Sequence, residues 1–147
     1  MSNRSYTDPK YIGLIMEPVA ESDLLQFLKR DSFRDEELTM LRSFLGCLSS
    51  AVVYLHANNC RHKDLKPGNI LINNGTVLIT DFGIALDWTD LGQDTTTGKP
   101  EAYTNSYVAP EVAAAKPRNV AADVWSLGCV FMDITVSKFT TRDHWLG

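Results

Sequence analysis

The apolar residues at the beginning of the chain predict a strand followed by a short helix. The run YIGLIM, residues 11–16, contains no charge and is typical of a strand buried on both faces. Glu17 precedes Pro18, which favours extended backbone, so we expect a connector after this strand. Ser22 or Asp23 could then cap a short helix over the sequence DLLQFLKR.

Two longer helices are predicted further along the chain. Leucine and valine recur at steps of three and four over residues 38–55, which indicates a helix with one buried face. The acidic residues 35–37 suit its first turn, where backbone N–H groups are unpaired and the helix dipole favours negative charge. Residues 121–134, AADVWSLGCVFMDI, are apolar on nearly every side and predict a helix buried in a larger protein. The polar residues 87–105 predict a long loop, and such loops are usually functional or disordered.

A β-hairpin is predicted between the two long helices. Residues 70–72 and 76–80 are short apolar runs, and the Asn73-Asn74-Gly75 sequence between them supplies residues that tolerate a positive φ in a tight turn. Antiparallel pairing then brings together the two ends opposite the turn, which are Asn69 and Asp81. Directly paired residues in such a ladder have Cα atoms about 4.5–5.5 Å apart.

The polar residues at that end of the hairpin predict a metal site with a free carboxylate beside it. An amide oxygen of Asn69 and a carboxylate of Asp81 can share one hard cation such as magnesium. Asp64 lies five residues before Asn69, and Pro67 with Gly68 can bend the chain so that Asp64 faces the same space, placed to receive a proton. Taken singly, the Asp81 region could be an ordinary turn and Asn69 could cap a bend. The joint spacing favours the functional interpretation.

Charge and cysteine content exclude several classes of protein. A net charge of −4 argues against a nucleic-acid-binding protein, which normally presents a basic face. Cys47, Cys60 and Cys129 are odd in number and form no C-x-x-C pair, so we expect a reducing intracellular setting, the cytoplasm or nucleus. The polar residues 1–10 contain no apolar signal region, and no uninterrupted apolar run approaches the ~18 residues of a membrane span.

Four short motifs together resemble the protein kinase family. HKDLKPGN resembles the catalytic loop, DFG the magnesium-binding turn and YVAPE the end of the activation segment, and DVWSLGCV is similar to the central buried helix of that family. Their order and separation match as well. The resemblance implies an ATP- and Mg²⁺-dependent protein serine/threonine kinase that phosphorylates a hydroxyl of a protein substrate.

The resemblance also implies roles for individual residues. Asp64 would orient the substrate hydroxyl and accept its proton, and Asn69 and Asp81 would hold the magnesium ions that bridge the ATP phosphates. Lys66 is similar to the lysine that stabilises the transferred phosphoryl group in the serine/threonine-specific branch. Thr104 occupies the position of the threonine that accompanies this lysine.

A second set of residues is similar to the family's adenine and ribose site. It comprises Met16 at the back of the adenine pocket, Glu17 and Val19 with their backbone groups, Asp23 at the ribose, and Leu71 on the pocket floor. Met16 and Leu71 would also be core residues in any other fold.

Two positions call for a physical account. Asp123 sits in an apolar helix, and the resemblance implies that it bonds backbone N–H groups of the catalytic loop near His62; the alternative is a solvent-facing polar turn. Position 63 is lysine where the family usually has an arginine that binds a phosphate on the activation loop with two donors. Thr95, Thr96 and Thr97 are candidate phosphate acceptors, and we expect loop phosphorylation to be a weaker switch here.

The predicted fold class is α+β: the mainly helical C-terminal lobe of a kinase-like fold with a short β-hairpin beside the catalytic loop and an N-terminal lobe almost entirely absent. We divide the chain into a polar segment, residues 1–10, and a partial kinase domain, residues 11–147. The glycine-rich loop, the strand lysine and the helix glutamate of the family have no counterpart in the sequence. We therefore expect little or no phosphotransfer from the isolated chain, and an exposed apolar face on the central helix.

Two other functions stay open at this point. One is a non-catalytic module that uses a kinase-like surface to bind a protein partner. The combination of Asp64, Lys66, Asn69 and Asp81 counts against it, since a scaffold has no chemical need for these side chains. The other is a phosphotransferase acting on small molecules, against which the YVAPE segment counts, because in the kinase family it shapes a peptide-binding ledge.

Overall fold

The structure, a computed structural model, describes residues 4–15, 17–89, 95–97 and 104–142. Strand β1 (Arg4–Thr7) pairs antiparallel with β2 (Ile12–Ile15). The sequence predicted a strand over residues 11–16 but not β1, because RSYT has no apolar run; the polar first ten residues therefore contain a strand. Tyr11 is 68% exposed, so the predicted burial on both faces is wrong at this residue. The predicted burial of the side chains of residues 12–16 lies outside what the structure describes.

The predicted short helix is confirmed. Strand β3 (Ser22–Asp23) leads directly into α1 (Leu24–Leu28). The carboxylate of Asp23 caps this helix, since its Oδ1 accepts a hydrogen bond of 2.8 Å from the backbone N–H of Gln26. Leu24 is fully buried, which anchors the helix to the core.

The long helix α2 (Asp35–Ala57) is confirmed as well. Leu41, Leu48 and Val52 of the predicted stripe are buried, and Phe44 joins them. This face packs against the central helix and the hairpin. By length and composition α2 could also cross a membrane, a test that core helices of soluble proteins pass too, and it is the one helix among the described residues that does so.

The predicted hairpin consists of β5 (Ile70–Asn73) and β6 (Thr76–Ile79), and β3 pairs with the other edge of β5. Asn74 and Gly75 form its two-residue turn with φ values of 49° and 71°, the left-handed values that an Asn-Gly turn supplies. This turn sets a register in which the Asn69 carbonyl accepts from Thr80 N–H at 3.0 Å. The predicted direct pairing of Asn69 with Asp81 is therefore wrong, because Asp81 lies one residue beyond the partner of Asn69.

The remaining elements surround the central helix. Strand β4 (Cys60–Arg61) pairs with β7 (Leu86–Asp87), and α3 (Pro110–Ala113) precedes α4 (Ala121–Arg142). The core is formed by α4 together with α2, α1 and the hairpin, with Val130 and Ile134 of α4 fully buried.

Helix α4 is buried on one side only. It is longer than the predicted 121–134, and the predicted exposed apolar face is present. The exposed apolar side chains of α4 are Val124, Trp125, Met132 and Val136.

Candidate active site

Asp123, in the first turn of α4, holds the loop that follows β4. Its Oδ2 accepts from the backbone N–H of His62 and its Oδ1 from that of Lys63, both at 2.9 Å. Nε2 of His56, near the end of α2, lies 3.0 Å from Oδ2. The Asp123 side chain is 2% exposed, and these bonds offset the several kcal/mol that an unpaired buried carboxylate would cost. The solvent-facing alternative for Asp123 is wrong, and the contact implied by the resemblance is present.

His62 connects this loop to the residues on either side of Asp81. Its Nδ1 accepts from the Asp64 backbone N–H at 3.3 Å, so Nε2 carries the ring proton and donates it to the Thr80 carbonyl at 2.8 Å. The imidazole also packs against the Phe82 ring with centroids 4.9 Å apart. His62 thus places Asp81 in the same region as Asp64 by holding both neighbours of Asp81.

The Asp64 carboxylate is the centre of a polar cluster. Its Oδ2 accepts from Lys66 Nζ at 2.6 Å and from Asn69 Nδ2 at 3.0 Å, and its Oδ1 accepts from the Thr104 hydroxyl at 3.0 Å. Lys66 Nζ also lies 3.0 Å from Thr104 Oγ1. A single turn of 3₁₀ helix, Pro67–Asn69, follows Lys66. It turns the chain back, so that Nδ2 of the Asn69 side chain donates to the backbone carbonyl of Asp64 at 2.9 Å. The structure therefore brings Lys66, Asn69 and Thr104 together around Asp64.

Asp81 has a strained backbone and an exposed side chain. Its φ of 64° is unusual for a residue other than glycine, and such strain is concentrated at functional sites. Its Oδ1 accepts from the Gly83 N–H at 3.4 Å. A Cβ added at Gly83 would lie 3.2 Å from the same oxygen, so glycine leaves the room that this carboxylate occupies.

The donor set of Asn69 and Asp81 fits magnesium. The Asn69 Nδ2 is committed to Asp64, which leaves its amide oxygen as the ligand atom. Mg²⁺ prefers oxygen ligands and is commonly held by one or two protein side chains together with phosphates and water. Within the described residues no group of three or more His, Cys, Asp or Glu side chains forms a further metal cluster. The two predicted ligands therefore suit an ion that is shared with a phosphate.

The predicted adenine and ribose residues receive less support. Met16 lies outside the described residues, and Glu17 and Val19 are exposed. Asp23 and Leu71 are paired across β3 and β5, so these two do lie side by side. Both oxygens of Asp23 bond Gln26, however, through its backbone N–H and its side-chain amide at 2.7 Å. The carboxylate assigned to the ribose thus also serves as the helix cap.

Two contacts at the site had no signal in the sequence. The Tyr107 hydroxyl donates to Asp133 Oδ2 at 2.7 Å, and burial together with this carboxylate raises the pKa of Tyr107 to about 12. The second contact is made by the buried guanidinium of Arg61, which donates to the Arg118 carbonyl and to the Thr96 hydroxyl. Both contacts join residues that are distant in the sequence, so periodicity could not predict them.

Comparison with known proteins agrees with this geometry. Residues 2–144 match the protein kinase domain family. The chain is 35% identical over 145 residues to "cGMP-dependent protein kinase, isozyme 2 forms cD5/T2" of Drosophila melanogaster, covering 95% of this chain and 15% of that protein. It is 35% identical to "Meiotic mRNA stability protein kinase SSN3" of Saccharomyces cerevisiae (88% of this chain, 24% of that protein) and 31% identical to "Serine/threonine-protein kinase PLK4" of Nematostella vectensis (90% and 13%). The chain thus spans a quarter or less of the length of these relatives.

Proposed function

This chain belongs to the protein kinase domain family, and we propose that it carries the catalytic residues of a serine/threonine kinase that transfers the γ-phosphoryl group of ATP to a protein hydroxyl. The names of the relatives support this substrate class. The contact between Lys66 and Thr104 supports it too. Lys66 in HKDLKPGN and Thr104 in TNSYVAPE are the two residues that resemble the serine/threonine-specific branch.

The observation that carries the proposal is the hydrogen bonding of Asp64. An ionised carboxylate has about four acceptor positions. Lys66 and Asn69 use Oδ2, whereas Thr104 is the one described donor on Oδ1. The Thr104 hydroxyl demonstrates that a threonine oxygen fits at 3.0 Å from this atom. We infer that Oδ1 can accept a second hydroxyl, that of the substrate, which would put the base within hydrogen-bond reach of the proton that it removes.

The other residues of the cluster then have distinct tasks. Lys66 places a positive charge 2.6 Å from Asp64 Oδ2, where it would attract the phosphoryl oxygens as they approach the base. Asn69 and Asp81 would hold Mg²⁺, and the bound ion would neutralise charge on the ATP phosphates. Asp123 and His62 hold the loop that carries the base, so little reorganisation is needed during transfer.

We also propose that the 147-residue chain by itself transfers phosphate poorly. Its sequence contains no glycine-rich loop and no strand lysine to grip the phosphates, so nucleotide would be held mainly through the metal.

We also propose an intracellular, reducing setting for the protein. The three free thiols support this proposal.

The test measures Mg²⁺-dependent binding of a fluorescent ATP analogue to the chain. It also measures transfer of labelled phosphate to a mixed protein substrate by the chain and by any longer protein of which it is a part. Asp81→Asn should weaken Mg²⁺-dependent binding at least about tenfold, the effect of losing a charged ligand. Asp87→Asn is the matched control, since Asp87 is an exposed carboxylate at the end of β7.

Asp64→Asn should abolish transfer but leave binding within about twofold, because a general base contributes to the chemical step and little to ground-state binding. Binding that is unaffected by Asp81→Asn would refute the metal assignment. Metal-dependent binding without any transfer, by the chain or by a longer protein that contains it, would favour the non-catalytic module instead.

A further inference from the structure

Arg61 is the residue before the catalytic-loop histidine, and its side chain points into the protein. The residue is 2% exposed and has the largest of the fully buried side chains among the residues that the structure describes. The backbone of Arg61 belongs to β4 and is paired with Leu86 of β7. This pairing fixes the position of the Arg61 Cα, from which the side chain extends. A buried guanidinium is costly unless acceptors surround it. The identity of its acceptors therefore indicates which segments must be in place.

Two of its acceptors among the described residues come from segments far away in the sequence. Nη1 donates to the Arg118 carbonyl at 2.8 Å, 57 residues away, and Nη2 donates to the Thr96 hydroxyl at 2.9 Å, 35 residues away. Thr96 and Arg118 are in turn joined by two backbone hydrogen bonds, Thr96 N–H to Arg118 carbonyl at 2.9 Å and Arg118 N–H to Thr96 carbonyl at 3.0 Å. Arg61, Thr96 and Arg118 therefore each contact the other two, and we call this three-way contact the Arg61 clamp.

The clamp adjoins the candidate active site. Arg61 and Arg118 line a cavity of about 40 Å³ that Asp64 and Thr104 also line. Arg118 lies between α3 and α4, and α3 separates it from the segment that contributes Thr104 and Tyr107. Holding the Arg118 carbonyl therefore holds one wall of the space beside the proposed base.

We propose that Arg61 is a positioning residue that clamps residues 95–97 and the loop before α4 onto the catalytic loop, and that it does so through the Thr96 hydroxyl. A planar guanidinium can serve two acceptors at once, which a lysine ammonium does less well. The acceptor of Nη2 is a neutral hydroxyl, so we expect this contact to form without a phosphate on Thr96. The consequence for phosphotransfer rests on the proposed function, but the clamp itself does not.

Amide hydrogen exchange of the 147-residue chain tests the clamp without any activity assay. The reporters are the N–H groups of Thr96 and Arg118, which bond each other's carbonyls. Thr96→Val keeps the shape and removes the hydroxyl, and it should accelerate exchange of both amides about ten- to a hundredfold, as expected for one lost charge-assisted bond. Thr96→Ser restores the hydroxyl and should stay within about twofold of the parent. Thr97→Val is the matched control on the exposed neighbouring threonine.

The exchange rates decide whether the unmodified Thr96 hydroxyl holds the segment. Equal exchange in the parent and Thr96→Val overturns the proposal, and so does a Thr96→Ser variant that behaves like Thr96→Val. Mass spectrometry establishes whether Thr96 is phosphorylated. Protection that is present only in phosphorylated protein, and lost after phosphatase treatment, also overturns it.

Arg61→Met should accelerate the same two amides at least as much as Thr96→Val. Adding Thr96→Val to it should have no further effect, because the donor is already gone. An additive effect in the double variant counts against the contact. Since Arg61→Met removes a buried side chain and could unfold the chain, Thr96→Val keeps the test decisive.

Discussion

Asp123→Asn is the most direct test of how the catalytic loop is held. The carboxylate receives backbone N–H groups from two consecutive residues, His62 on Oδ2 and Lys63 on Oδ1. Asparagine keeps one acceptor oxygen and replaces the other with an NH₂ group, which cannot accept. One N–H therefore loses its partner inside the protein, and the remaining bond becomes a neutral one. The φ of 69° at Lys63 is also no longer held by two bonds.

The expected loss is large for a protein of this size. Losing a hydrogen bond to a charged group, leaving one N–H unsatisfied and weakening the second bond together cost about 3–4 kcal/mol. Small domains have a total free energy of unfolding of about 5–15 kcal/mol, so this is a substantial fraction. With a urea m-value of about 1.5–2 kcal/mol/M, the midpoint of unfolding should fall by about 2 M.

The measurement is urea unfolding followed by tryptophan fluorescence and circular dichroism. Glu36→Gln is the matched control, because Glu36 and Asp123 each place one negative charge in the first turn of a long helix. The difference between the two variants isolates the bonds to the loop from the helix dipole. A loss below about 0.5 kcal/mol in Asp123→Asn would refute the reasoning, since surface substitutions have effects of that size.

Three further predictions concern other parts of the molecule. Hydrogen bonds from the Arg34 backbone and from Arg30 lower the pKa of Glu37 from 4.5 to about 2, so their stabilisation is present above pH 4.5 and is lost as the pH falls from 4.5 to 2. Glu37→Gln should therefore destabilise the chain by about 1–2 kcal/mol at pH 7, and urea unfolding should show this difference shrinking below pH 4.5; a constant difference would contradict the assignment. Burial and Asp133 raise the pKa of Tyr107 from 10.0 to about 12, so the stabilisation that this shift represents is complete below pH 10 and is lost as the pH rises from 10 to 12. Absorbance at the tyrosinate band should show one tyrosine that titrates late, absent in Tyr107→Phe and shifted to lower pH in Asp133→Asn; titration of Tyr107 near pH 10 in the parent would argue against the contact. Gly83→Ala places a Cβ 3.2 Å from Asp81 Oδ1 and should weaken Mg²⁺-dependent nucleotide binding about three- to tenfold, because the carboxylate must move. Gly46→Ala is the control, since its Cβ would meet nothing within 4 Å, and it should bind like the parent. Equal binding by the parent, Gly83→Ala and Gly46→Ala would contradict the role given to the Asp81 carboxylate.

Much of the fold follows from local rules, and the sequence predicted those parts. The Asn-Gly turn, the aspartate cap of α1 and the leucine stripe of α2 each depend on residues within a few positions of one another. The motif residues of the candidate site could be named for the same reason, since the short segments that contain them are characteristic. Strand β1 was missed because RSYT lacks an apolar pattern, and pairing with β2 is what makes it a strand.

The sequence by itself determined the chemistry: which carboxylates, amides and amines are present, and in which short segments they occur. Only the tertiary structure decided how these groups meet. It placed Asn69 opposite Thr80 rather than Asp81, brought Asp123 under the backbone of His62, and buried Arg61 against Thr96 and Arg118. These contacts join residues separated by 11 to 61 positions, and they form because buried polar groups must find partners wherever the packing of helices and strands places them.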